Sequence, residues 1–159
     1  MERRIENQLE DQLKKLQDEF GISGIKAEFE AEGSSYNDVL RLRNLTTRNN
    51  LQLHVKIGGV EAIRDIIDCL EIGVDGIIGP MVESSFGAKK FVNSLEKLEA
   101  IDLFHSSINI ETKNGLLELD DILNMTVGCI SNITVGRSDL SGSYMDKTIT
   151  PNSSFIAEK

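Results

Sequence analysis

Apolar residues recur over the first 20 positions at Ile5, Leu9, Leu13, Leu16 and Phe20, spaced four, four, three and four apart. That spacing keeps one face of an α-helix apolar, and Gly21 is a fitting stop, so the pattern predicts an N-terminal helix over 1–21. Past it the period changes and then repeats. "GIKAEFE" (24–30) alternates as a strand, and "SSYNDVLRLRNLTTRNN" (34–50) reads as a helix capped by serine. "LQLHVKI" (51–57) is a strand, followed by "VEAIRDIIDCLEIG" with Ile63, Ile66, Ile67 and Leu70 on one face. "VDGIIGPMV" (74–82) is a strand, and "SFGAKKFVNSLEKLEA" carries Phe91, Val92, Leu95 and Leu98 at helical spacing. "HSSINI" (105–110) and "CISNITV" (129–135) are the fourth and fifth strands, with a short helix, "GLLELDDILNM" (115–125), between them. The segment 144–159 turns polar and turn-rich.

Alternating strands and helices with short connections predict β/α units and a parallel sheet. Such a sheet is either open and doubly wound or a (β/α)₈ barrel. A polar or charged residue falls at or just past each strand's C-terminal end: Glu32, Lys56, Glu83, Glu111 and Asp139. Their separations of 24, 27, 28 and 28 residues are about one β/α unit each. An open sheet gathers its chemistry at one switch point, whereas a barrel draws it from the ends of many strands, so the barrel fits better. No G-x-G-x-x-G follows the first strand, which weakens a dinucleotide reading. The expected fold is therefore α/β, of (β/α)₈ TIM-barrel type. It is incomplete, with about five parallel strands over 22–143, because a whole barrel usually needs about 200 to 250 residues. Open edges in such an arc would call for a longer gene product, strands from another chain, or a homo-oligomer, unless the sheet is open after all.

Composition narrows the function. Seventeen basic and 26 acidic residues give a net charge of −9, which argues against nucleic acid as a partner. No run of about 18 apolar residues is present for a membrane span, and the charged N-terminus lacks a signal peptide's apolar stretch, so the expected compartment is the cytoplasm. Cys69 and Cys129 stand alone among only two histidines, a pattern of buried small hydrophobes rather than of zinc ligands or a disulfide. His54 lies inside a strand pattern and His105 at a strand start, both poor places for chemistry.

Two segments carry chemistry. "INIET" (108–112) ends a buried strand on Glu111, and "TVGRSDLSGS" (134–143) places Asp139 just past the fifth strand in a Gly/Ser-rich loop. Adjacent parallel strands would set these carboxylates side by side at the sheet's C-terminal mouth. Two oxygen donors with open positions suit Mg²⁺ or Mn²⁺, a Lewis acid for a keto oxygen. The same residues also fit solvated loop positions or helix caps.

"KIGGVEAIRDI", "GVDGIIGPMVES", "INIET" and "GRSDLSGS", in this order, resemble the HpcH/HpaI aldolase and citrate-lyase beta-subunit family of phosphoenolpyruvate/pyruvate-type barrels. The likeness runs from about Gly24 to Ser143 and would cover roughly the first 60% of a full member. It implies Glu111 and Asp139 as metal ligands. Lys56 stands where many members have an arginine that holds the substrate carboxylate and keto oxygen, and a lysine loses the bidentate fork. Glu32 lies where class II pyruvate aldolases carry a Glu-His pair. This chain has no histidine there, which counts against a histidine-dependent mechanism. Glu83, beside the site, would steer a metal-bound water or a neighbouring group. Gly136 and Ser138 bracket a loop whose backbone N–H groups either meet a substrate carboxylate or simply form a tight turn, and Arg137 either contacts a substrate anion or projects into solvent. The resemblance thus implies a divalent-metal-dependent carbon–carbon lyase or aldolase for a small 2-oxo acid. The alternatives are a non-catalytic partial barrel that binds an oxo-acid or a protein, and a CoA-thioester lyase of citrate-lyase type.

Overall fold

The computed structural model describes residues 2–159. Helix α1 (Glu2–Phe20) comes first, then β1 (Gly24–Glu28), α2 (Tyr36–Arg48), β2 (Gln52–Lys56) and α3 (Ile63–Ile72). β3 (Gly76–Gly79), α4 (Ser85–Lys97), β4 (His105–Ile110), α5 (Lys113–Leu117) and α6 (Leu119–Thr126) follow. β5 (Asn132–Val135), α7 (Arg137–Ser143) and α8 (Ser154–Ala157) complete the order.

The five strands form one parallel sheet in the order β1-β2-β3-β4-β5. A doubly wound sheet reverses its strand order at a switch point, whereas a barrel adds each strand beside the last. Strict sequential order is barrel order, and the fold is an incomplete (β/α)₈ barrel. β1 and β5 are its edges among the described residues.

Alternation along the strands divides the sheet into two chemically different faces. Leu53, Val55 and Ile57 on β2 and just after it, Ile77 on β3, and Ile108 and Ile110 on β4 turn toward the helices. There they pack with Ile66, Cys69, Phe91, Leu95 and Ile122 in the main core. Gly79 lets the Phe91 ring lie flat on β3, since a Cβ there would come within 3.1 Å of it. The opposite positions are mostly polar: Lys26 and Glu28 on β1, His54 and Lys56 on β2, Ser107 and Asn109 on β4, Thr134 on β5, with Ile78 on β3 among them.

Several boundaries differ from the periodicity, each for a local reason. The third strand stops at Gly79 rather than near 82, because Pro80 brings no N–H to the ladder and Met81 turns to φ 51°. The helix expected over 115–125 is two helices, with Glu118 (φ −94°, ψ 9°) serving as the last cap of one and the first of the next. The fifth strand starts at Asn132 rather than 129, since the N–H groups of Cys129 and Ile130 bond back to the Thr126 carbonyl and prolong the helical turn. On α1, Leu13 is buried with Leu45 and Leu51, while Ile5, Leu9, Leu16 and Phe20 keep much of their surface in water. The polar segment after Ser143 is not wholly loose: Ile156 is buried, and Phe155 meets Tyr144 edge-on with ring centres 5.0 Å apart. The capping serine of α2 is Ser35, in a reciprocal capping box with Asp38.

Candidate active site

The polar inner face comes to a focus at the C-terminal ends of β1, β2 and β4. Parallel register places Glu28 opposite Lys56, and both side chains point to the same side of the sheet. Lys56 Nζ stands 3.5 Å from Glu111 Oε1 and 3.7 Å from Glu28 Oε1. Lys26 closes the other side of Glu28 with a direct hydrogen bond. Glu111 and Glu28 are only 3% and 7% exposed, so each carboxylate would carry a large desolvation cost without these ammonium groups.

Burial pushes the Glu28 carboxyl up, but the Lys26 hydrogen bond and the charges of Lys56 and Lys26 outweigh it and leave it below its ordinary 4.5. Glu111 is held from three sides. Its Oε1 accepts the Met81 N–H at 3.1 Å, its Oε2 accepts the Asn109 amide at 3.3 Å, and Oε2 also lies over Gly136. The left-handed turn at Met81 that ends β3 thus aims a backbone donor at the carboxylate. Local chain turns and strand register together fix one buried anion.

Beside this cluster opens a cavity of about 240 Å³, lined by Glu28, Glu30, Ala31, Lys56, Ile57, Gly58, Pro80, Met81 and Asp139. At the rim, a Cβ on Gly58 would come within 2.5 Å of Cγ of the exposed Glu30, which would have to shift, and the Gly58 N–H donates to Asp65 at 2.7 Å. Asp139 reaches the cavity from the first turn of α7, which starts one residue after Gly136, so it sits on a helix rather than in a free loop. Gly136 is the residue before that helix; Arg137 and Ser138 are in its first turn and exposed, and do not line the cavity.

The structure brings together Lys56, Glu111, Gly136 and Asp139; the other four sequence candidates, Arg137, Ser138, Glu32 and Glu83, stand apart from them. Glu32 is exposed on the turn after β1 and lies 4.0 Å from Lys26. Glu83 is exposed in the connection before α4 and does not line the cavity. The acids that do line it from β1's end are Glu28 and Glu30, which the sequence reading passed over. Their signal was strand alternation: Gly24, Lys26 and Glu28 share a face, and Glu28 precedes the turn that carries Glu32 away. His54 and His105 face each other near the opposite end of the sheet, ring centres 6.0 Å apart.

The HpcH/HpaI aldolase/citrate lyase family model matches residues 38–151. The chain belongs to this family. Among solved structures it is similar to the citrate synthase SbnG, with 22% identity and a TM-score of 0.70 over 86% of this chain and 60% of that one. It is also similar to an HpcH/HpaI aldolase/citrate lyase family protein from Burkholderia cenocepacia J2315, with 15% identity and a TM-score of 0.69 over 84% of this chain and 63% of that one. The chain spans about 60% of the length of these structures. No curated protein matches the sequence. Among the described residues no helix is long and apolar enough to cross a membrane.

The cavity's donors are carboxylates, with no imidazole or thiol among its lining residues. Such a set suits a hard divalent ion such as Mg²⁺ or Mn²⁺ rather than a softer metal. Among the described residues no group of three His, Cys, Asp or Glu side chains is placed to hold a metal. An ion on Glu111 and Asp139 would therefore complete its shell with water or substrate oxygens, which is how Mg²⁺ is usually bound.

Proposed function

We propose that this chain carries the site of a divalent-metal-dependent carbon–carbon lyase or aldolase acting on a small 2-oxo acid. The observation that carries the reading is Lys56, an ammonium at the barrel mouth between two buried carboxylates and on the wall of a cavity that also takes in Asp139. Family membership supports the reaction class.

In this reading Glu111 and Asp139 would hold the ion, whose chemistry would be Lewis-acid polarisation of the substrate's keto oxygen. Lys56 neutralises the substrate carboxylate and stabilises the negative charge that builds on the keto oxygen as the C3–C4 bond breaks. Glu28, kept ionised by Lys26 and Lys56, fixes the position of the Lys56 ammonium. Pro80 and Met81 give the cavity an apolar wall that limits water around the reacting carbons. Glu32 and Glu83 stand outside the cavity, so proton transfer is better served by a group on its lining.

The test is cleavage of 4-hydroxy-2-oxo acids by the full chain with added Mg²⁺ or Mn²⁺, followed by pyruvate release. Glu111→Ala and Asp139→Ala should each abolish release and weaken Mn²⁺ binding. Unchanged rates and affinity in both variants would overturn the proposal.

A second reading, a non-catalytic barrel segment that binds an oxo-acid or a partner chain, is favoured by the open β1 and β5 edges. Binding of pyruvate without any turnover, together with self-association that protects β5 amides from exchange, would favour it.

A further inference from the structure

The charges around the cavity are lopsided. Glu28, Glu30 and Asp139 line it with Lys56 as the one basic side chain among its lining residues. Lys56 is itself within 3.7 Å of Glu28 and 3.5 Å of buried Glu111. Lys26 lies behind Glu28 and is shared between Glu28 and Glu32, and Arg137 is exposed outside the cavity. An ion on Glu111 and Asp139 would offset those two carboxylates and still leave Glu28 and Glu30 facing a single ammonium.

A substrate with one carboxylate can meet Lys56. A second carboxylate, at the far end of the molecule, would find no further cation on the lining and would face Glu30 instead. Glu30 is an exposed residue on the cavity's lining, and its Cγ lies against the Cβ-free face of Gly58, whose N–H donates to Asp65. Like-charge juxtaposition is a strong means of rejecting a wrong ligand.

We propose that Glu30 is a specificity-determining residue that excludes 2-oxo acids with a distal carboxylate and selects those whose distal end is uncharged. The inference rests on the oxo-acid site proposed above and names its substrate class. It does not extend the citrate chemistry of the structural neighbour to this chain, since that chemistry involves a polycarboxylate.

The test uses two five-carbon probes that carry no 4-hydroxyl and so cannot be cleaved: 2-oxopentanoate and 2-oxoglutarate. Calorimetric titration of the full chain with Mg²⁺ should show 2-oxopentanoate binding about tenfold more tightly or better, a ratio equivalent to about 1.4 kcal/mol. Glu30→Gln should narrow the ratio, and Glu30→Lys should invert it. Equal affinities in the wild type, or a ratio that neither variant moves, would overturn the specificity role while leaving the oxo-acid site standing. Failure of both probes to bind would instead overturn the oxo-acid site and this inference with it. Selective binding without cleavage in the aldolase assay would leave this inference in place and remove only the catalytic reading.

Discussion

Gly136 and Glu111 are packed so closely that a Cβ on Gly136 would stand 2.4 Å from Glu111 Oε2 and 2.8 Å from Glu111 Cβ. Those atoms belong to a side chain already held by the Met81 N–H and the Asn109 amide, so they have little freedom to move aside. The glycine is there for space rather than for backbone conformation, as its φ of −83° is open to any residue. Gly136→Ala should therefore destabilise the fold by about 1–3 kcal/mol, the usual range for overpacking. Urea titration followed by circular dichroism measures this, and a change within about 0.3 kcal/mol would show that Glu111 repacks freely.

Lys56 offers a sharper test of the buried charge cluster. Lys56→Met keeps the length and apolar stem of the side chain but leaves Glu111 and Glu28 without their shared ammonium. Removing one member of a buried ion cluster costs about 3 kcal/mol when the remaining charge stays buried. The sign with pH follows from Glu28, whose carboxyl lies below its ordinary 4.5: its contribution to stability is present above that value and is lost as pH falls through the folded-state value. The variant and the wild type should thus differ most near neutral pH and converge in acid. A gap that stays constant from neutral pH down to the acid limit of folding would show that the cluster adds nothing electrostatic.

The expected architecture could be read from the sequence because β/α periodicity and strand-end polar residues are both local patterns. Glu111 stood out by ending an apolar run, and Lys56 and Asp139 by falling at or just past the C-terminal end of a strand. Glu28 did not, because it sits inside "KAEFEAE", where three acids alternate and only the register with Lys56 tells which one is buried. Glu32 lost its place to a turn: the chain leaves the sheet after Glu28, and Gly33 at φ 65° carries it back toward α2. Glu83 is displaced because Pro80 and Met81 end β3 early and use the Met81 N–H on Glu111 instead. These are effects of backbone turns and non-local pairing, which the spacing of residue types does not encode.

His54 should act as an acid-sensitive element at the other end of the sheet. Burial pushes its imidazole below the ordinary 6.5, His105 adds to the effect, and Asp75 opposes it. Lys26, its partner in the β1–β2 register, adds another positive neighbour on the same face, while Gly76 on β3 leaves room for the ring. Asp75 is already engaged by Arg43 at 2.6 Å and by the Leu53 N–H at 2.8 Å. A lowered pKa means that the unfolded chain takes up a proton the folded chain refuses, so stability falls as pH drops below 6.5 and levels off below the folded-state value. Melting temperature should decline between about pH 7.5 and 5.5, and His54→Gln should flatten that decline. An equal decline in the variant would sink the assignment.

The two thiols should separate cleanly by reactivity. Cys69 is fully buried in the main core under α3, and burial, with Asp65 and Asp68 nearby, pushes its pKa up to about 12. The thiolate is the reactive form, so Cys69 should stay inert in the folded protein. Cys129 is half-buried in the turn after α6 and its neighbours Val127 and Gly128 are exposed, so reagent can reach it through local opening. Iodoacetamide labelling with peptide mass analysis should find Cys129 modified first, and Cys69 modified only once denaturant unfolds the chain. Cys69→Ala should in turn cost about 1–2 kcal/mol through the cavity it leaves beside Ile66 and Ile72, whereas Cys129→Ala should stay within about 0.5 kcal/mol. Early labelling of Cys69 under native conditions would mean that α3 detaches from the sheet far more readily than its buried face implies.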